Sequence, residues 1–196
     1  MLLRLLLFSF CFLLPFFNGL AQDIPPKEQN EINSRAISLV KEFEQLLNAI
    51  TLKSTTSSEI QELVQICHSD PDNRIFLNEK SVLEDDIAPG AGDSVFVKDV
   101  SIQKYLNDLD LFYSKEHDET IRFSEFRLSP IRSKAYTFVK VYFESKFAGK
   151  HKEIDVPYST NRRVAEVRVD RQKDGKRDLH IASITFFKHA KGLSDA

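Results

Sequence analysis

The chain has no tryptophan, one methionine, two cysteines and six glycines in 196 residues, and each shortage excludes something. Cys11 lies inside an apolar opening stretch. Without that stretch Cys67 stands alone, so no intrachain disulfide can staple the fold, and stability must come from an ordinary apolar core. Cys67 reads as a small buried residue on a helix, with an intermolecular bridge or a reactive thiol as alternatives. The few glycines form neither a phosphate-cradling loop nor a Gly-x-Ser-x-Gly elbow. The five histidines, at 68, 117, 151, 180 and 189, include no pair four apart, so zinc has no support. A net charge of −2 leaves no electrostatic footprint for nucleic acid.

The densest feature that is present is residues 136–147, which hold no glycine or proline and alternate with period two. Thr137, Val139, Val141, Phe143, Ser145 and Phe147 form a mostly apolar face. Tyr136, Phe138, Lys140, Tyr142, Glu144 and Lys146 form an amphipathic one. At about 3.3 Å per residue the stretch spans roughly 40 Å, which suits the spine of a sheet better than its edge.

Three helical patterns precede it. From Lys27, the positions Ile32, Ala36, Leu39, Val40, Phe43, Leu46, Leu47 and Ile50 make one apolar stripe of about six turns. Thr56-x-x-Glu59 and Ser58-x-x-Gln61 both read as capping boxes for a second helix, with Ile60, Leu63, Val64 and Cys67 turned inward. Residues 74–77, 81–87 and 94–97 read as short strands. Ser101 reads as the N-cap of a third helix carrying Ile102, Tyr105, Leu106, Leu109, Phe112 and Tyr113 on one face.

The remainder is β. In residues 121–128 the apolar parity changes between Phe123 and Phe126, which predicts a bulge near Ser124-Glu125. Residues 162–171 alternate, with Ala165, Val167 and Val169 on one face and Glu166, Arg168 and Asp170 on the other. Asp174-Gly175 predicts a hairpin turn into a last strand over 179–188. The fold class is α+β: three N-terminal helices packed on a strongly curved antiparallel sheet.

Residues 1–21 have a basic start, an apolar centre and the small residues Gly19 and Ala21, the pattern of a secretory signal peptide. The apolar run is shorter than the ~20 residues of a spanning helix, so no membrane span is expected after cleavage. The expected organisation is a signal peptide over 1–21, a linker over 22–26, a single domain over 27–189 and a polar tail over 190–196. The expected location is exported, periplasmic or extracellular. Glu84, Asp85, Asp86 and Asp93 raise a cation site, but their spacing fits no calcium loop, and a solvated acidic turn is the simpler reading. No cofactor and no metal are expected.

The order of a long amphipathic helix, a short helix, a helix near Ser101 and a curved meander ending at Phe187 resembles the nuclear transport factor 2-like cone fold. Ketosteroid isomerase, scytalone dehydratase and polyketide cyclase relatives share that fold. The Leu20-Ala21-Gln22 ending resembles that of exported proteins from Bacteroidetes-type bacteria, which implies a bacterial envelope protein. In enzymes of the family, carboxylate, His or Tyr side chains in a cavity between sheet and helices move protons. The positions nearest that pattern are Asp108 or Asp110, Tyr105, Tyr113 and His180. Each also has a plain reading. His180 reads as a partly exposed strand-end residue, the tyrosines as core packing with hydroxyls at the rim, and the aspartates as solvated.

Two functions follow. One is a non-catalytic exported domain that binds a protein partner, itself included, or a small apolar ligand. Its partner surface is Tyr136, Phe138, Lys140, Tyr142, Glu144 and Arg168, aromatics interleaved with charges as at interfaces. The alternative is a small exported isomerase, dehydratase or cyclase. The first is favoured, because the core-facing side of the spine strand offers only Thr137 and Ser145 as polar groups.

Overall fold

In the computed structural model, residues 24–93, 97–114 and 121–189 are described. The proposed signal peptide, the tail after 189, and parts of the 94–97 and 114–119 segments lie outside the described residues. Helix α1 (Pro26–Ile50) starts on Pro26, whose missing N–H leaves no intrahelical bond unmade. Its eight stripe residues, Ile32 to Ile50 in the spacing given above, are all buried. Helix α2 (Ser57–Ser69) is opened by the Thr56/Glu59 capping box, in which each residue bonds the other's backbone N–H. The second candidate box, at Ser58, lies two residues past the N-cap, inside the helix. Helix α3 (Ile102–Phe112) is capped by Ser101, whose hydroxyl accepts from Lys104 N at 3.3 Å.

The strands, in chain order, are β1 (Val82–Glu84), β2 (Asp99–Ser101), β3 (Tyr113–Ser114), β4 (Ile121–Leu128), β5 (Arg132–Ser133), β6 (Thr137–Phe147), β7 (Lys150–His151), β8 (Asn161–Arg171) and β9 (Arg177–Phe186). The main sheet runs β2-β1-β9-β8-β6-β4, with β5 also on β6, and β3–β7 form a separate small pair. The stretch from 136 to 147 is thus an inner strand, as its composition predicts. One expectation needs correction: β1 joins β9 in parallel, with Val82 beside Ser183, so the sheet is mostly rather than wholly antiparallel. The chain crosses nearly the whole molecule between those two strands, which is the long connection a parallel pair needs.

Two bulges shape the sheet. In β4 the register slips between Ser124 and Arg127, and Glu125 takes a positive φ of 55°. The slip turns Ile121, Phe123, Phe126 and Leu128 to one side despite their mixed parity. In β9 the register slips again opposite Glu166/Val167, so Leu179 and Ile181 share the inner side with Ile184 and Phe186. Extra residues of this kind increase local twist and bend a strand. The inner side of the sheet packs on α1 in one core that includes Leu39, Phe43, Val139, Val141, Val167 and Ile181. At full burial each such side chain contributes about 1.5–3 kcal/mol.

Candidate functional site

The outer side of the sheet carries the proposed partner surface. Its register places Phe138 beside Arg168, Lys140 beside Glu166, and Glu144 beside Arg162. Opposite charges meet across these rungs: Lys140 to Glu166 at 3.9 Å, Arg162 to Glu144 at 3.4 Å, and Arg168 to Asp170 along β8 at 2.9 Å. Tyr136 donates its hydroxyl to Glu166, and that bond, helped by burial, raises the tyrosine above its ordinary range. Arg168 lies 5.1 Å over the Tyr136 ring. Tyr142 meets Phe187 edge-on at 6.0 Å, and Phe187 is 45 % exposed. Phe138 departs from expectation. It is buried, 8 % exposed, packed 5.7 Å from the Tyr136 ring, and therefore a floor under this face rather than a contact on it.

The inner side holds what the sequence reading missed. Arg163 of β8 shares the parity of Ala165 and Val167 and is 3 % exposed. Its guanidinium pairs with Asp86, donates from Nη2 to the Glu84 carbonyl at 2.7 Å, and lies 4.6 Å over the Phe186 ring. The Asp86 carboxylate also accepts the Tyr105 hydroxyl at 2.7 Å. Glu84 accepts the backbone N–H of Phe186. Tyr105 is fully enclosed, and burial followed by the nearby Asp86 charge pushes its hydroxyl well above the ordinary tyrosine range. Arg163 Nε is enclosed without a hydrogen-bond partner.

This cluster overturns the solvated acidic turn: Asp86 and Glu84 are buried, because Arg163 reaches them from β8, across β9. Asp85, between them, is half-buried, and desolvation raises its carboxyl despite a bond from Ile87 N at 3.0 Å. Among the described residues no cluster of His, Cys, Asp and Glu has the makings of a metal site.

The named candidates do not converge. Tyr105 lies in the buried cluster, its hydroxyl inside rather than at a rim. Tyr113 is also buried, its hydroxyl accepting from Gly149 N at 2.7 Å, and serves the β3–β7 pair. A side chain at Gly149 would collide with the Tyr113 ring and the Ser114 carbonyl. Asp108 takes Lys104 one turn away at 2.7 Å, and Asp110 is exposed. His180, partly exposed on the sequence expectation, is instead 3 % exposed on the outer side of the sheet, where Arg74 covers it and donates from Nε to its Nε2 at 2.8 Å. Parity was the available signal for Arg163, since it sits two residues before Ala165 on the same side. Nothing local to 84–86 announced a partner some eighty residues away.

A groove of about 550 Å³ runs between the start of α1 and the β8–β9 hairpin, lined by Lys27, Glu28, Glu31, Arg35, Lys176 and Arg177, with Arg177 paired to Glu28. It contains none of the sequence candidates. No helix among the described residues is long and apolar enough to cross a membrane. Comparison with protein-family models, curated proteins and solved structures finds no match to this chain.

Proposed function

We propose that the chain is an exported, non-catalytic domain of the cone-shaped, nuclear transport factor 2-like kind, and that it pairs with a second copy of itself through the outer side of its sheet. The observation that carries the reading is the make-up of that side. Exposed aromatic area from Tyr136 and Phe187 is interleaved with Lys140, Glu144, Glu166 and Arg168, whose charges cancel rung by rung. A face that carries both signs and no excess of either is complementary to itself, which is what a two-fold pair requires. Aromatic and Arg side chains are also the groups that dominate interface energies.

The enzyme reading has one feature in its favour, the inward Asp86, Tyr105 and Arg163. The Asp86 carboxylate takes both the guanidinium and the phenol, and the guanidinium also donates to the Glu84 carbonyl. A general acid or base needs to reach a substrate proton within about 3 Å or through one water. These groups are spent on packing, and that favours the binding domain.

Light scattering on the chain from Gln22 onward tests the proposal. The unaltered protein should run at twice the monomer mass at about 0.1 mM, and Tyr142→Ala should shift it toward the monomer while Tm stays nearly unchanged. A monomeric unaltered protein, or a variant with the same mass, removes self-pairing through this face.

A further inference from the structure

We infer that His180 and Arg74 form an acid-released latch, in which the neutral imidazole holds the segment between α2 and β1 against the sheet. Arg74 Nε donates to His180 Nε2 at 2.8 Å, so that ring nitrogen must be unprotonated in the closed arrangement. Arg74 also donates from Nη1 to the Leu77 carbonyl at 3.3 Å and from Nη2 to Asp178 Oδ2 at 3.4 Å. A proton on Nε2 would set N–H against N–H and cation against cation inside a buried site. Asp178 Oδ1 already stands 3.4 Å from Nε2. The imidazolium would compete for that carboxylate, and Arg74 would lose the imidazole as an acceptor.

Otherwise the segment is held by its buried Ile75 and Phe76 side chains, Phe76 meeting the Phe43 ring edge-on at 5.3 Å, and by few backbone bonds. The N–H groups of Ile75 and Phe76 share one acceptor, the Cys67 carbonyl, each at 2.9 Å. Leu77 N bonds Ile181 O at 3.0 Å and Ile181 N bonds Ile75 O at 2.9 Å, the single bridge to β9. The charged groups around His180 come from four elements: Asp178 on β9, Asp170 on β8, Arg74 on the segment and Arg35 on α1, with Arg168 directly across the sheet. Burial, the largest influence, lowers His180 below its ordinary 6.5; Asp178 and Asp170 oppose this, and Arg74 and Arg35 add to it. A base whose folded-state value is depressed favours folding fully above its unfolded value and loses that contribution as pH falls through the folded one. The latch is therefore closed above 6.5 and weakens below it.

The imidazole C2–H of His180 followed by NMR from pH 8 to 4 should titrate with a midpoint below 6.5. Over the same range, amide exchange at Ile75, Phe76 and Leu77, corrected for intrinsic rates, should accelerate by up to about tenfold per pH unit between 6.5 and that midpoint. His180→Gln, which can still accept from Arg74 and cannot titrate, should flatten this acceleration. A midpoint at or above 6.5, or an equal acceleration in the Gln variant, overturns the latch. Should the variant fail to fold, the titration of the unaltered chain decides alone. The latch does not rest on the proposed pairing.

Discussion

Arg163 and Asp86 are a pair whose partners cannot be removed singly without leaving a charge in a dry interior. Arg163→Met should cost about 3–5 kcal/mol in urea unfolding, because Asp86 is left uncompensated. Adding Asp86→Leu to it should recover much of that loss; a double variant as unstable as the single one would contradict the account. Cys67 is simpler. Burial pushes its thiol up to about 12, so it should resist iodoacetamide at pH 8 in the folded chain from Gln22 onward and react once urea unfolds it. Rapid labelling of the native protein would show the residue to be accessible after all. Residue-scale legibility followed the number of constraints. Cys67 sat on a helix stripe and was readable from that stripe. For Arg163 the two available rules conflict, since its inward parity competes with the general rule that arginine stays outside. Only its long-range partner breaks that rule.

Among elements, periodicity was informative wherever the chain obeyed one period throughout. The α1 stripe was legible residue by residue for that reason. The β4 bulge was legible because Phe123 and Phe126 break parity inside one short strand. The β9 bulge carries the same kind of mark, His180 being polar on one parity and Ser183 and Thr185 on the other, but Ala182 and Phe187 are apolar where the alternation would need polar residues and blur it. At Glu125 the backbone sits in the left-handed region, which a residue with a Cβ enters at a cost of roughly 1–2 kcal/mol. Glu125→Gly should therefore raise the urea midpoint, by an amount equivalent to about 1 kcal/mol, and Glu125→Val should lower it. Equal midpoints for the two variants would mean the bulge relaxes freely. The parallel placement of β1 lay beyond any local signal: three residues, Val82–Glu84, with two carboxylates following, gain their position from β9 and not from their own pattern.

At the scale of the molecule, the spine strand joins the layers. Val141 is fully enclosed between β4 and β8 and faces α1. Val141→Asp places an unpaired carboxylate there, at a cost large against a typical total stability of 5–15 kcal/mol, and circular dichroism should find the variant unfolded. The α+β class, three helices and a mostly antiparallel sheet, was legible, since one long stripe, one long alternating strand and an Asp-Gly turn leave few ways to bury everything at once. Which polar groups would be enclosed by that arrangement was not, because it depends on pairings that only the finished topology creates.

The free margin of β4 has one further implication. Asn48 of α1 donates its side-chain amide to the Ile121 carbonyl at 2.7 Å and accepts from the Ile121 N–H at 3.3 Å, as a neighbouring peptide would. Lys41, also of α1, lies 5.5 Å over the Phe126 ring further along. An unblocked margin templates the addition of further chains, the route to runaway fibrous stacking. By imitating a neighbouring strand at Ile121, the helix closes that end of β4 to a further chain. The self-pairing proposed above uses the broad flank of the sheet and not this margin.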